Sequence, residues 1–92
     1  MKVIKAQLYI KKKVNEEKAK HICNEIDKRI KGLPINYSSY QANELMVFDI
    51  YIQANTFKDC EYFYQMMKRA IKDCSYEVAH QIAKIKAENL KK

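Results

Sequence analysis

The sequence predicts an α+β fold of the split β-α-β, ferredoxin-like kind: β-α-β-β-α, then a tail that is either a fourth strand or a helix. Three observations lead there. The N-terminal residues alternate apolar and polar with period two. Two later segments carry apolar stripes at helical spacing, each behind a capping residue. Between them lie two short alternating runs separated by a turn.

Residues 2–11, KVIKAQLYIK, place Ile4, Ala6, Leu8 and Ile10 on one face and Val3, Lys5, Gln7, Tyr9 and Lys11 on the other, as in a half-buried strand. Asn15 then offers a helix cap, and Glu16 and Glu17 suit the first turn, where the helix dipole favours acids. Ala19, Ile22, Cys23, Ile26 and Ile30 form one helical stripe; Lys31 and Gly32 end it, and Pro34 prevents continuation. Residues 35–41 read as a weaker strand, with Ile35, Tyr37 and Ser39 opposed to Asn36, Ser38 and Tyr40. A turn at Ala42, Asn43 and Glu44 leads into a strand with Met46, Phe48, Ile50, Ile52 and Ala54 on one face. Leu45, Val47, Asp49, Tyr51 and Gln53 take the other.

Thr56 with Asp59 resembles a capping box and starts a second helix near Phe57. Its stripe is Cys60, Phe63, Tyr64, Met67, Ile71 and Cys74. The aromatic and methionine cluster EYFYQMM is therefore read as a core face, not a ligand platform. The tail, residues 75–92, stays open. Its Ala, Gln, Lys and Glu content favours helix, whereas Ala79, Gln81, Ala83, Ile85 and Ala87 alternate as in a strand.

The chain has 92 residues, enough for one domain (1–92) and one core. Hydrophobic residues make up 48% of it, which argues against disorder. The longest apolar run, LMVFDIYI, contains Asp49 and is too short to span a bilayer, so a soluble, cytoplasmic protein without membrane partners is expected. Three cysteines with no C-x-x-C do not form a disulfide framework; on one helix Cys60 and Cys74 stand about 21 Å apart. Of the 18 basic residues 16 are Lys, and with abundant Ile, Tyr and Asn this bias fits an AT-rich genome, such as a low-GC bacterium or a phage. Scarce Arg also weighs against bidentate guanine readout.

A single glycine rules out a phosphate-cradling Gly-rich loop. His21 and Cys23, two apart on a helix, point about 200° apart and cannot share a metal. His21 has Glu17 and Glu25 at four residues either side, the spacing of a surface ion pair. The cysteines lie on core stripes, and no pair of carboxylates is placed for acid–base work. The expectation is a non-enzymatic protein with no cofactor and no metal.

The charge map is more informative. The net charge is +7; residues 1–14 carry +5, residues 75–92 carry +2 and residues 32–56 carry −2. In a ferredoxin-like sheet the first and fourth strands are neighbours, which gathers Lys5, Lys11, Lys12, Lys13, Lys84 and Lys86 on one side. Such a patch attracts phosphate backbones, and Tyr9 and Tyr51 on the uncovered face could stack bases. The third strand lacks the aromatic and basic pattern of RNA-recognition folds, and Asp49 would repel phosphate. The leading expectation is thus a small basic binding protein that engages nucleic acid or a nucleoprotein complex. The alternative is a phage or mobile-element accessory protein that inhibits or regulates a host protein complex by surface occlusion. Val3, Leu45 and Val47 would be its contact, and the same face could instead be covered by the tail or by a second copy in a sheet-to-sheet homodimer.

Overall fold

The computed structural model describes residues 1–75 and the strand at 85–91. Its elements run β1 (Lys2–Ile10), α1 (Glu16–Ile30), β2 (Ile35–Ala42), β3 (Leu45–Ala54), α2 (Phe57–Cys74) and β4 (Ile85–Lys91). One antiparallel sheet has the order β2-β3-β1-β4, with both helices on one face. This is the ferredoxin-like arrangement, and of the two readings of the tail the strand holds. The strand is described over Ile85–Lys91; Val78, Ala79, His80, Gln81, Ile82, Ala83 and Lys84 lie outside the described residues.

The helix-facing side chains of the sheet are those the period-two pattern selects. Ile4, Leu8, Ile10, Met46, Phe48, Ile50 and Ile52 are almost wholly enclosed, and Ile22, Ile26, Cys60, Tyr64, Met67 and Ile71 close over them from the helices. The stripe of α2 is confirmed as core, with two refinements: Phe63 and Cys74 are only half-buried, and Tyr62 is 62% exposed. Both caps form as the sequence implies. Asn15 Oδ1 accepts from Lys18 N–H at 2.7 Å, and Thr56 Oγ1 accepts from Asp59 N–H at 3.1 Å. Gly32 takes a φ of 82° just past α1, the left-handed conformation that ends helices without a Cβ clash.

The β2–β3 turn solves its geometry without glycine. Asn43 adopts a φ of 56°, which Asn tolerates better than other residues with a Cβ. At the far ends of the helices, Arg29 Nη1 meets Asp73 Oδ2 at 2.9 Å and ties α1 to α2. No helix among the described residues is long and apolar enough to cross a membrane.

Candidate functional site

Among the described residues no helix packs on the sheet's second face, and strand register determines which residues share it. Three rows cross it. Asn36, Tyr51 and Lys5 occupy one; Ser38, Asp49 and Gln7 the next; Tyr40, Val47 and Tyr9 the third, and the β4 register partners of Lys5, Gln7 and Tyr9 are Leu90, Glu88 and Lys86. The residues of β1, β2 and β3 were individually legible from alternation, but their rows were not.

The middle row changes the character of the face. Gln7 Nε2 donates to Asp49 Oδ1 at 2.8 Å and reaches the Tyr40 hydroxyl at 3.4 Å. The Tyr40 phenol pKa is raised, first by partial desolvation and then by the Asp49 carboxylate beside it. A polar, acidic network therefore separates Lys5 and Tyr51 from Tyr9. Along β1, Lys5 and Tyr9 are about 13 Å apart at 3.3 Å per residue. The single basic and aromatic patch expected from sequence is split in two.

Val47 is a further correction. It was expected on an exposed contact surface with Val3 and Leu45, yet it is only 5% exposed. Its register neighbours on either side are Tyr9 and Tyr40, both large enough to enclose a valine between them. Val3 and Leu45 are half-buried, and Tyr51 is 37% exposed. Among the described residues this face is thus less apolar than its sequence suggests.

At one end of the sheet, Lys5 and Tyr51 join Met1, Lys2, Val3 and Phe57 around an open cleft of about 360 Å³. The Lys2 ammonium sits 5.4 Å from the Phe57 ring centroid, a cation–π distance. Sequence reasoning missed Lys2 and Phe57 because only the fold brings the start of β1 to the start of α2.

At the other end lies the loop that carries Lys11, Lys12 and Lys13. It is short and tethered on both sides. Lys12 N–H donates to the Ile10 carbonyl at 2.8 Å, and Val14 is buried. The Gln41 side chain clamps Val14 from both directions: its Oε1 accepts from Val14 N–H at 3.2 Å, and its Nε2 donates to the Val14 carbonyl. Lys11 and Lys13 are exposed, Lys12 is half-buried, and among the described residues neither Lys11 nor Lys13 makes an ion pair. The register partner of Tyr9 in β4 is Lys86; Lys84 lies outside the described residues. Next to the loop, Lys13, Asn15, Glu16, Ser39 and Tyr40 help to line a shallow groove of about 350 Å³.

The remaining reactive groups are occupied structurally. Cys60 is buried; Cys23 Sγ contacts Ser39 Oγ at 3.1 Å; and desolvation, the largest influence on the Cys74 thiol, pushes its pKa up. The single Tyr37 hydroxyl proton is shared between Asp27 Oδ1 at 2.6 Å and the Cys23 carbonyl at 3.1 Å, pinning β2 to α1. Glu25 is held below the usual carboxylate range by its bond to Lys28. Among the described residues, no three of His, Cys, Asp and Glu are grouped to hold a metal.

No protein-family model and no curated protein matches the chain. Solved structures do. A de novo designed protein with a ferredoxin fold, LFR1 1, superposes with a TM-score of 0.73 over 100% of this chain and 86% of its own, at 11% identity. The de novo designed protein Foldit4 gives a TM-score of 0.53 over 99% and 97% of the two chains, at 12% identity. At such identities the likeness concerns the fold alone.

Proposed function

We propose that this protein is a small, non-enzymatic, cytoplasmic binding protein whose lysine-bearing loop between β1 and α1 engages the phosphate backbone of a nucleic acid or nucleoprotein. The observation that carries the reading is the anchoring of that loop. The Gln41 clamp and the buried Val14 fix the backbone of the loop, and its Lys11 and Lys13 are exposed and make no ion pair among the described residues. Loop ordering then costs little on binding, and each phosphate neutralised releases condensed counterions. Base stacking contributes less. Tyr9 is half-buried between its neighbours, and the Asp49 network lies between it and Tyr51.

The test is fluorescence anisotropy with labelled single- and double-stranded DNA and RNA, at salt concentrations between about 50 and 200 mM. Binding should be strong at low salt, fall steeply as salt rises, and vanish when Lys11, Lys12 and Lys13 are all changed to Glu. Affinity retained in that variant would refute the role of the loop. The alternative, occlusion of a host protein complex, is weakened by the burial of Val47 and would rest on Leu45, Val3 and Tyr51.

A further inference from the structure

The exposed edge of the sheet is unusual in what it lacks. β2 runs eight residues, INYSSYQA, with no charge and no proline, and pairs with β3 in unbroken register from Ile35 to Ala42. Edge strands of monomeric proteins are commonly guarded by charges, prolines or bulges, because unguarded ones recruit another strand.

The direction of the free groups follows from the ladder. Gln53 N–H donates to the Pro34 carbonyl at 3.3 Å, and the two-residue turn closes between Ala42 and Leu45. With antiparallel alternation, Asn36, Ser38, Tyr40 and Ala42 therefore bond to β3, and Tyr37, Ser39 and Gln41 turn their backbone groups outward. The Ile35 N–H is already taken by the Leu33 carbonyl at 2.8 Å. Three consecutive outward N–H groups remain, with the carbonyls to match.

Helix α1 supplies the identity of the partner. Two contacts mark its β2 side: Asp27 with Tyr37, and Cys23 with Ser39. By helical spacing the exposed charges Glu16, Lys20 and Asp27, with Lys31 at the C-cap, follow one stripe in the order acid, base, acid, base. Read from the opposite end, the order is base, acid, base, acid. An antiparallel copy of the same stripe sets Glu16 against Lys31 and Lys20 against Asp27. The centre of this pattern falls at Cys23 and Asn24, and Cys23 touches Ser39, the middle of the outward-facing trio in β2.

We propose that β2 is the interface of a two-fold symmetric homodimer, in which the β2 strands of two copies pair antiparallel with Ser39 opposite Ser39. Tyr37 of each copy then faces Gln41 of the other. Three N–H groups per copy give six hydrogen bonds, and the eight strands form one continuous sheet. Both α1 helices lie on the same face of that sheet, antiparallel, with their charges complementary and Cys23 close to the dyad. The β2 strand of the interface comes from residues 32–56, which carry −2 in a chain of net charge +7, and the four-charge stripe of α1 beside it is neutral in sum.

Sedimentation velocity over a concentration series tests this, with Ser39→Pro as the first variant. The Ser39 N–H faces away from β3, so proline there leaves the intramolecular ladder intact and removes the central intermolecular bonds. The wild type should sediment as a dimer, and Ser39→Pro as a folded monomer by circular dichroism. Should the proline variant fail to fold, charge reversal decides: Glu16→Lys and Lys31→Glu should each weaken dimerisation by about tenfold, and the double variant should recover it. A short bismaleimide should link Cys23 to Cys23 in a Cys74→Ser background. A wild type that stays monomeric at every concentration would overturn the proposal. So would a dimer that ignores Ser39→Pro, or a double charge variant no better than the singles.

Discussion

Neutralising Lys11 and Lys13 together is the most informative single perturbation, because its size can be worked out before the experiment. Both side chains are exposed and make no ion pair among the described residues, so Lys11→Gln with Lys13→Gln should leave the fold intact, within about 0.5 kcal/mol. Each lysine that neutralises a phosphate contributes about 0.9 to the slope of log affinity against log salt on duplex, or about 0.7 on single strands. Removing two contacts should flatten the slope by about 1.8 or about 1.4, respectively. Over a fourfold rise in salt, from about 50 to 200 mM, the wild type should then lose about 12-fold more duplex affinity than the variant, or about 7-fold more single-strand affinity. Anisotropy titrations at four or more salt concentrations, with unfolding curves as a stability control, give both numbers. An unchanged slope would mean that Lys11 and Lys13 touch no phosphate, and the loop would lose its assigned role. A slope change that tracks the duplex value on one substrate and the single-strand value on another would also identify the geometry of contact.

Three further predictions concern the sheet and its edges. Val47→Asp should destabilise the protein by about 3 kcal/mol or more in urea unfolding, because the carboxylate enters an enclosed site, whereas Leu45→Asp should cost under about 1 kcal/mol. Equal effects would contradict the burial of Val47 between Tyr9 and Tyr40. Burial first, and then the bond to Asp27, raises the Tyr37 phenol above its ordinary pKa of 10.0. The unfolded chain therefore releases this proton first, so the stability it supplies is complete below pH 10.0 and is lost as pH rises beyond it. Tyr37→Phe should flatten that alkaline decline in denaturation curves; an undiminished decline would assign it to another group. At the hairpin turn, Asn43→Val should cost about 1–2 kcal/mol by forcing a β-branched residue into positive φ, and Asn43→Gly should stay within about 0.5 kcal/mol of wild type by thermal melting.

Much of the architecture is a local property of the chain. Period-two alternation in residues 2–11 and 45–54, helical stripes on either side, and caps at Asn15 and Thr56 each act within a few residues, where steric and hydrogen-bonding preferences operate without tertiary help. That is why the element order and the helix-facing core were readable, and why the methionine and aromatic cluster of α2 could be recognised as core. The tail was harder, since its composition favours helix and its alternation favours strand. Only the free edge of β1, open to hydrogen bonding with Ile85–Lys91, resolved that conflict.

The site depended on relations that no local pattern contains. Alternation assigned Gln7, Tyr40, Val47 and Asp49 to one face, but register decided that Val47 sits between two tyrosines and that Asp49 meets Gln7. A one-residue slip would have made different neighbours of the same residues. Likewise, the sequence determined that positive charge is concentrated before residue 15 and in the tail, because charge is a property of composition. Tertiary structure decided that Lys5 stands apart from the loop lysines and that Gln41 fastens that loop. It also left an uncharged β2 at the edge, with α1 charges in mirror order beside it. Those outcomes rest on contacts between segments far apart in the chain, which form only when burial of the shared core brings the segments together.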